Sequence, residues 1–397
     1  MKMAVNTAKL LKNVPLPDEI TTVHDNAVVI DTGGGTIKAG FSGDDCPRII
    51  VPTCAGTQRG KHDSKETFVC TQATKRREDL DIIYPMEDGK KMGNFDWDAL
   101  EKIWEHLYMD CLKVQPDDPN TPALLTEPAL NAKENREKMC QIFFEKFKVP
   151  SLYVSVAPVL SVYASGRTTG IVVEAGNSTC HTVPIFEGFS LFHSILQLDF
   201  GGVDLTNYLK GVLANNGIKF RASHEREVCS FLKEKLCLVA QDHQLTQADK
   251  ESTVKHVLPD GTEVVLGPER YTCCEALFNP HIYGTDVKAK RGLHATAIES
   301  IKKCDADITG LLYGNVVLSG GTSMFRGMQD RMLKEFVDLA PAEKIKVFAS
   351  TERKYATWIG GSILASLPTF QDFWVTRSDY EDSGQPHAAH VVHRNCF

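Results

Sequence analysis

The chain has 397 residues, a formal net charge of −7 and an apolar share of 42%. That length holds about two to four compact units, and its mixed, acid-leaning charge argues against direct nucleic-acid binding, which needs a surplus of lysine and arginine on one face. No apolar run reaches the roughly 20 residues that span a bilayer, and the start lacks the apolar core of a signal peptide, so no membrane partner is expected.

Residues 1–22 are polar and broken by Pro15 and Pro17, and read as an extension, with a short, basic, weakly amphipathic stretch at 4–14 read as a loose tail, a docking helix being the alternative. Ala27-Val28-Val29-Ile30 is a buried strand that runs into Asp31 and three glycines. Residues 54–79 are polar and charged, and are expected to form a small exposed excursion. Helical spacing recurs over 98–106 and 133–147, with a loop at 115–122 and a strand ending at Leu124–Pro128. A strand follows at Gly170–Val173 and a helix at Ala222–Val239. A hairpin turns at Asp260-Gly261. Val316–Leu318 is a strand entering Ser319-Gly320-Gly321-Thr322. Strands alternate with helices, which predicts an α/β protein with mixed or parallel sheets. The 12 cysteines are scattered and are read as reduced intracellular thiols. Cys273-Cys274 are adjacent and cannot form an ordinary bridge, and His393-x-x-Cys396 is half of a zinc pattern without its second half, so no metal is assigned to it.

One internal repeat stands out. Val29-Ile30-Asp31-Thr32-Gly33-Gly34-Gly35-Thr36 is echoed by Val172-Val173-Glu174-Ala175-Gly176-Asn177-Ser178-Thr179. Each copy is a strand, an acid, a glycine two residues on, and a threonine. Two such copies suggest two similar domains facing each other. Glycines let backbone N–H groups approach an anion, an acid at a strand end holds Mg²⁺ through its waters, and Lys38 lies within reach of a phosphate. Taken alone, the first copy reads equally well as an ordinary Gly-rich hairpin. A third glycine turn, Ser319–Met324, adds to the anion-binding reading. Neither GxxxxGK[ST] nor GxGxxG is present, which removes the P-loop and dinucleotide folds.

Long ordered segments resemble the actin family: KAGFSGDDCPR (38–48), NREKMCQIFFEKF (135–147), VYASGRTTGIV (162–172), EREVCSFLKEKLC (225–237), LSGGTSMF (318–325), ERKYATWIGGSILASLPTF (352–370) and VHRNCF (392–397). The resemblance covers nearly everything from Val28 onward. It implies a two-lobed, ribonuclease H-like ATPase superfold with four subdomains around a cleft for ATP or ADP and Mg²⁺ (or Ca²⁺). On that pattern 1–22 is an extension. Residues 23–52, 85–164 and 356–397 form one subdomain and 53–84 a second. Residues 165–200 with 289–355 form the third, and 201–288 the fourth. Matched by position, the phosphate loops are Asp31, Gly33, Gly34, Gly35 and Lys38, then Glu174, Gly176, Asn177 and Ser178. Lys233 and Glu234 match the adenosine-side pair. Gly320, Gly321, Thr322, Met324 and Lys354 match the remaining nucleotide wall. Asp31, Glu174 and His181 fall on the network that orders the attacking water, with Asp31 also holding the metal through water.

The chain departs from the family pattern at several of these points. The water-orienting glutamine falls on Ala157, followed by Pro158. The second-loop aspartate is Glu174, the next acid is Asn177 and the glycine after it is Ser178. An arginine near the ribose falls on Val203. The inserting loop between Gly56 and Thr67 is about five residues short and wholly polar. The cross-strand plug over Pro280–His294 carries Lys288, Lys290 and Arg291, and Asp88 replaces a modified histidine. The partner cleft is kept in Tyr163, Gly188, Phe189, Ile363, Leu364, Leu367 and Phe370, with Phe373 and Trp374 expected to extend its helical face. These features predict an ATP-binding, cytoplasmic and cytoskeletal protein with at most slow hydrolysis, an actin-related subunit of a larger assembly. A divergent conventional actin that polymerises is the alternative. A sugar kinase or chaperone ATPase of the same superfold is excluded by the WIGGSILASL and HRNCF segments.

Overall fold

The computed structural model describes residues 27–60, 66–86, 95–215, 225–242, 253–258, 261, 263–283 and 291–382. The N-terminal extension, Lys61, Asp88, Asp260, Lys288, Lys290 and the final HRNCF segment, on which several expectations fall, lie outside the described residues.

Two six-stranded sheets organise the chain. The first runs Val375–Thr376, Ser151–Val156, Ala123–Glu127, Val28–Thr32, Thr36–Phe41, Ile49–Pro52. The second runs Phe189–Ser190, Cys180–Phe186, Gly170–Ala175, Val316–Ser319, Val347–Phe348, with Leu196–Leu198 paired to Cys180–Phe186. Their central topology is the same. In the first, Val28–Thr32 pairs antiparallel with the next strand and parallel with Ala123–Glu127, which pairs parallel with Ser151–Val156. In the second, Gly170–Ala175 pairs antiparallel with the next strand and parallel with Val316–Ser319, which pairs parallel with Val347–Phe348. The eight-residue echo in the sequence is thus the visible part of a duplicated unit. The parallel strands Ala123–Glu127 and Val316–Ser319 are buried along their whole length, as strands covered on both faces must be.

Each sheet has its own core. Trp104, Tyr108, Phe143 and Trp358 fill the first, and Leu205, Leu232, Leu312 and Phe336 the second. The helix expected over 98–106 runs Trp97–Glu105, capped by Asp96, which accepts from Ala99 N at 3.0 Å. It continues as a π-turn over His106–Cys111, and Lys133–Gln141 likewise continues over Ile142–Lys146. A π-turn inserts a residue and rotates the following side chains. Here it brings Tyr108 and Phe143 together at 5.9 Å between ring centroids. The helix expected at 222–239 is described as Glu225–Leu236, and the late hairpin pairs Val254–Val257 with Glu263–Leu266.

Residues 54–79 are more than the exposed excursion the composition predicts. Ala55–Gln58, Thr67–Val69 and Leu80–Ile83 form a separate sheet, crossed by helix Cys70–Lys75. Cys54, Ala73 and Leu80 form a small core beneath it. The polar residues occupy its outer surface, so composition hides the few apolar positions that close it. Glu227 accepts from Tyr84 Oη at 2.9 Å and pairs with Arg77, which ties this sheet to helix Glu225–Leu236.

Helices Ala157–Ala164 and Ala356–Ala365 cross at the junction of the two halves. A Cβ at Gly360 would stand 1.8 Å from the Leu160 carbonyl oxygen, so only glycine permits this approach. Ser161 Oγ lies 2.9 Å from Ser319 Oγ and 3.1 Å from Thr357 Oγ1, which joins both helices to the end of a second-sheet strand. All three hydroxyl residues are buried. The eleven described cysteines are free thiols.

Candidate functional site

The strand registers put the expected site residues opposite one another. Asp31 pairs with Lys38 across the first hairpin, and Glu174 pairs with His181 across the second. Lys38 Nζ lies 3.0 Å from Asp31 Oδ2, and Thr126 donates to Asp31 Oδ1 at 2.8 Å. The hairpin turns meet head-on. A Cβ at Gly34 would lie 2.9 Å from Ser178 Oγ, and one at Gly35 would lie 3.1 Å from Asn177 Cβ. The third turn joins them: Gly320 has φ +88 and no room for a Cβ beside the Ala175 carbonyl, while Thr322 Oγ1 donates to the Gly176 carbonyl at 2.7 Å.

Between the turns lies a cavity of about 540 Å³. Asp31, Gly33, Gly34, Gly35, Lys38, Glu174, Gly176, Asn177, Ser178 and His181 all line it, as do Lys233, Glu234, Gly320, Gly321, Thr322, Met324 and Lys354. Every residue predicted for the site is therefore brought to one cavity. Ala157 lines the cavity too, whereas Val203, in helix Gly202–Asn215, does not. Lys233 differs from a free cation. Its ammonium donates to the Gly202 carbonyl at 2.7 Å and to Thr206 Oγ1 at 2.9 Å, and burial lowers its pKa. It braces the wall as much as it faces the cavity. Sequence reasoning missed Thr126, Glu127 and Asn131 as lining residues. The strand ending at Leu124–Pro128 signals Thr126 and Glu127, and nothing in the sequence pattern points to Asn131. Glu127 is buried, pairs with Arg136, and accepts from Asn131 at 3.0 Å, so it holds the wall in shape.

The electrostatics are those of a site built for charge. Burial, then the neighbouring Asp31 carboxylate, push the Glu174 carboxyl up to about 7, with Lys38 partly opposing. Burial pulls His181 down to about 4, against Gln197 and Asp199. At neutral pH the imidazole is uncharged. Its Nδ1 is 3.7 Å from Glu174 Oε2, beyond a good hydrogen bond, and its Nε2 has no partner. Ser178 Oγ is also buried without a partner.

These residues fit a nucleotide with a divalent cation. Three glycine turns and Lys38 and Lys354 offer backbone N–H groups and cations to a polyanion. Met324 and Phe325 supply apolar surface for a base. Asp31 and Glu174 repel each other, and a cation beside them relieves that repulsion. Two carboxylates at the cavity suit an ion that keeps most of its waters, as Mg²⁺ does.

A two-lobed α/β protein with duplicated sheets and opposed glycine turns around such a cavity has the actin-like, ribonuclease H-like superfold. The family model for actin matches residues 22–397, and the chain belongs to the actin family. Among the described residues, no helix is long and apolar enough to cross a membrane.

The expected partner cleft is only partly open. Phe189 is 62% exposed and Phe373 51%, while Tyr163, Ile363, Leu364 and Leu367 are half-buried. Gly188 has φ +89, and a Cβ there would meet the Tyr163 hydroxyl at 2.4 Å. Phe370 and Trp374 correct the expectation. Both are buried and pack edge-on against each other and against Tyr153, so they are core rather than cleft wall. The chain leaves the helix at Ala365 and passes through a 3₁₀ segment, Pro368–Phe373, which breaks the single helical face that spacing predicts.

Proposed function

We propose that the cavity binds ATP or ADP with Mg²⁺ (or Ca²⁺), that hydrolysis there is slow, and that the protein is an actin-related subunit of a larger cytoskeletal or motor-associated assembly. The observation that carries the nucleotide reading is the convergence of three glycine turns, two lysines and two carboxylates on one cavity. The N–H groups of Gly33–Gly35, Asn177 and Ser178 hold phosphate oxygens, which Lys38 and Lys354 neutralise, while the Gly176 N–H closes the second turn on the Thr179 carbonyl at 3.0 Å. Lys38 exchanges its pairing with Asp31 for a phosphate, which frees Asp31 to accept from a cation's waters. When bound, the divalent cation supplies neutralisation of the terminal phosphates. Met324 and Glu234 face the nucleoside. The four-part division of the chain described for the family is proposed for this one.

Slow turnover follows from Ala157, which lines the cavity and has no group to orient water. Glu174 and His181 remain as acceptors, but they stand 3.7 Å apart and neither supplies the amide that would orient a water. Single-turnover phosphate release is expected to be well below that of conventional actin, and Ala157→Gln is expected to raise it by about tenfold or more. Native release at the conventional rate overturns this reading.

A second reading, a divergent actin that forms filaments, is favoured by the exposed Phe189 and Phe373 at the cleft, which suit a partner's apolar surface. Sedimentation with Mg-ATP across a concentration series separates the two. Material that stays in the supernatant with nucleotide bound supports the subunit. A pellet above a sharp critical concentration supports the filament, with assembly by contacts other than the polar loop.

A further inference from the structure

We propose that Ser178 distinguishes a nucleoside triphosphate from a diphosphate in this cavity, an inference that rests on nucleotide binding there. Ser178 closes the second turn, and its Oγ is buried with no hydrogen-bond partner. It sits where a side chain on Gly34 would be: a Cβ there would lie 2.9 Å from Oγ and 3.9 Å from the serine Cβ. Asn177 fills the space above Gly35 in the same way, at 3.1 Å. The first turn has given up its side chains, and the second turn has filled the room.

The position of Ser178 selects which phosphate it reads. Gly176 faces the nucleoside side, because its carbonyl accepts from Thr322, beside Met324 and Lys233. Two residues further on, Ser178 faces the opposite hairpin, at the seam between the turns. A phosphate chain that starts at the nucleoside side reaches this seam only with its last member. There a χ1 rotation swings Oγ out of the crevice and gives the shut-in hydroxyl an anionic acceptor. A diphosphate ends short of it and leaves the hydroxyl unpaired. A hydroxyl bonded to a charged group is among the stronger protein hydrogen bonds, so the preference it confers is measurable.

Competition against a fluorescent ATP analogue, in saturating Mg²⁺, tests this. In Ser178→Gly and Ser178→Ala the ratio of the ADP Kd to the ATP Kd is expected to fall about tenfold, with most of the change in the ATP Kd. Gly34→Ala, which crowds the hydroxyl while leaving Ser178 in place, is expected to lower the same ratio. On the Ser178→Gly background, Gly34→Ala is expected to change the ratio no further. Thermal unfolding midpoints establish that each variant is folded. An unchanged ratio in both serine variants overturns the proposal, as does an equal weakening of ATP and ADP, which would place the hydroxyl on an inner phosphate. If the native protein binds neither nucleotide, the nucleotide reading itself fails and this inference falls with it.

Discussion

Gly360→Ala is expected to destabilise the folded protein by about 3 kcal/mol or more, at the upper end of overpacking costs. The added methyl would lie 1.8 Å from the Leu160 carbonyl oxygen and 2.9 Å from the Leu160 Cα. Neither atom is the free end of a side chain. Relief requires the two helices to separate, and both are anchored. Trp358 Nε1 donates to the Val29 carbonyl at 2.9 Å, and Ser161 bridges Ser319 and Thr357. A Cβ on Gly361 would meet Val29 Cγ1 at 2.9 Å, so the helix has no room to roll that way. Because Ala157 and Thr357 line the cavity from the same two helices, nucleotide affinity is expected to fall along with stability. Urea unfolding midpoints check the first effect. A Gly360→Ala protein as stable as the native chain would mean that the crossing is loose in solution.

The second large effect is a pH dependence that appears only when one partner of the Glu174–His181 pair is removed. Glu174 rises from 4.5 to about 7 on folding, so between those values the folded protein holds a proton that the unfolded chain has lost. Stability therefore falls as pH rises, by about 1.4 kcal/mol per unit. His181 drops from 6.5 to about 4, so over that range the unfolded chain holds the extra proton and stability rises with pH at a similar slope. The two offset each other between pH 4.5 and 6.5. Glu174→Gln leaves only the histidine. Relative to the native protein it is expected to gain stability from pH 4.5 to 6.5, by roughly 3 kcal/mol in all. His181→Asn leaves only the glutamate, and is expected to lose a comparable amount over the same range. Comparing each variant with the native chain cancels other titrating groups. Urea midpoints at three pH values suffice, and parallel curves for native and variant chains would overturn the assignment. Saturating Mg-ATP should shrink the contrast, because a cation near Asp31 and Glu174 holds the glutamate ionised.

The features that depend on local chemistry are legible in the residue order. Glycine turns after buried strands, the acid that precedes each and the lysine that follows are spaced by strand geometry alone. The echo of Val29–Thr36 in Val172–Thr179 therefore pointed to the opposed hairpins, and the resemblance to actin named the remaining residues, all of which line the same cavity. Contacts between side chains distant in the chain emerge only from packing. The direct ion pair of Lys38 with Asp31 follows from register, and the capture of the Lys233 ammonium by Gly202 and Thr206 follows from the packing of two helices. The small core at Cys54, Ala73 and Leu80 is too sparse to show as a periodic pattern, since three strands of three or four residues carry only two inward positions each. Trp374 became core because a 3₁₀ segment turned it away from the face it shares, on paper, with Phe373. The slot over Gly34 that Ser178 fills exists only once both sheets are in place, because the two residues are far apart in the chain and belong to different halves of the fold.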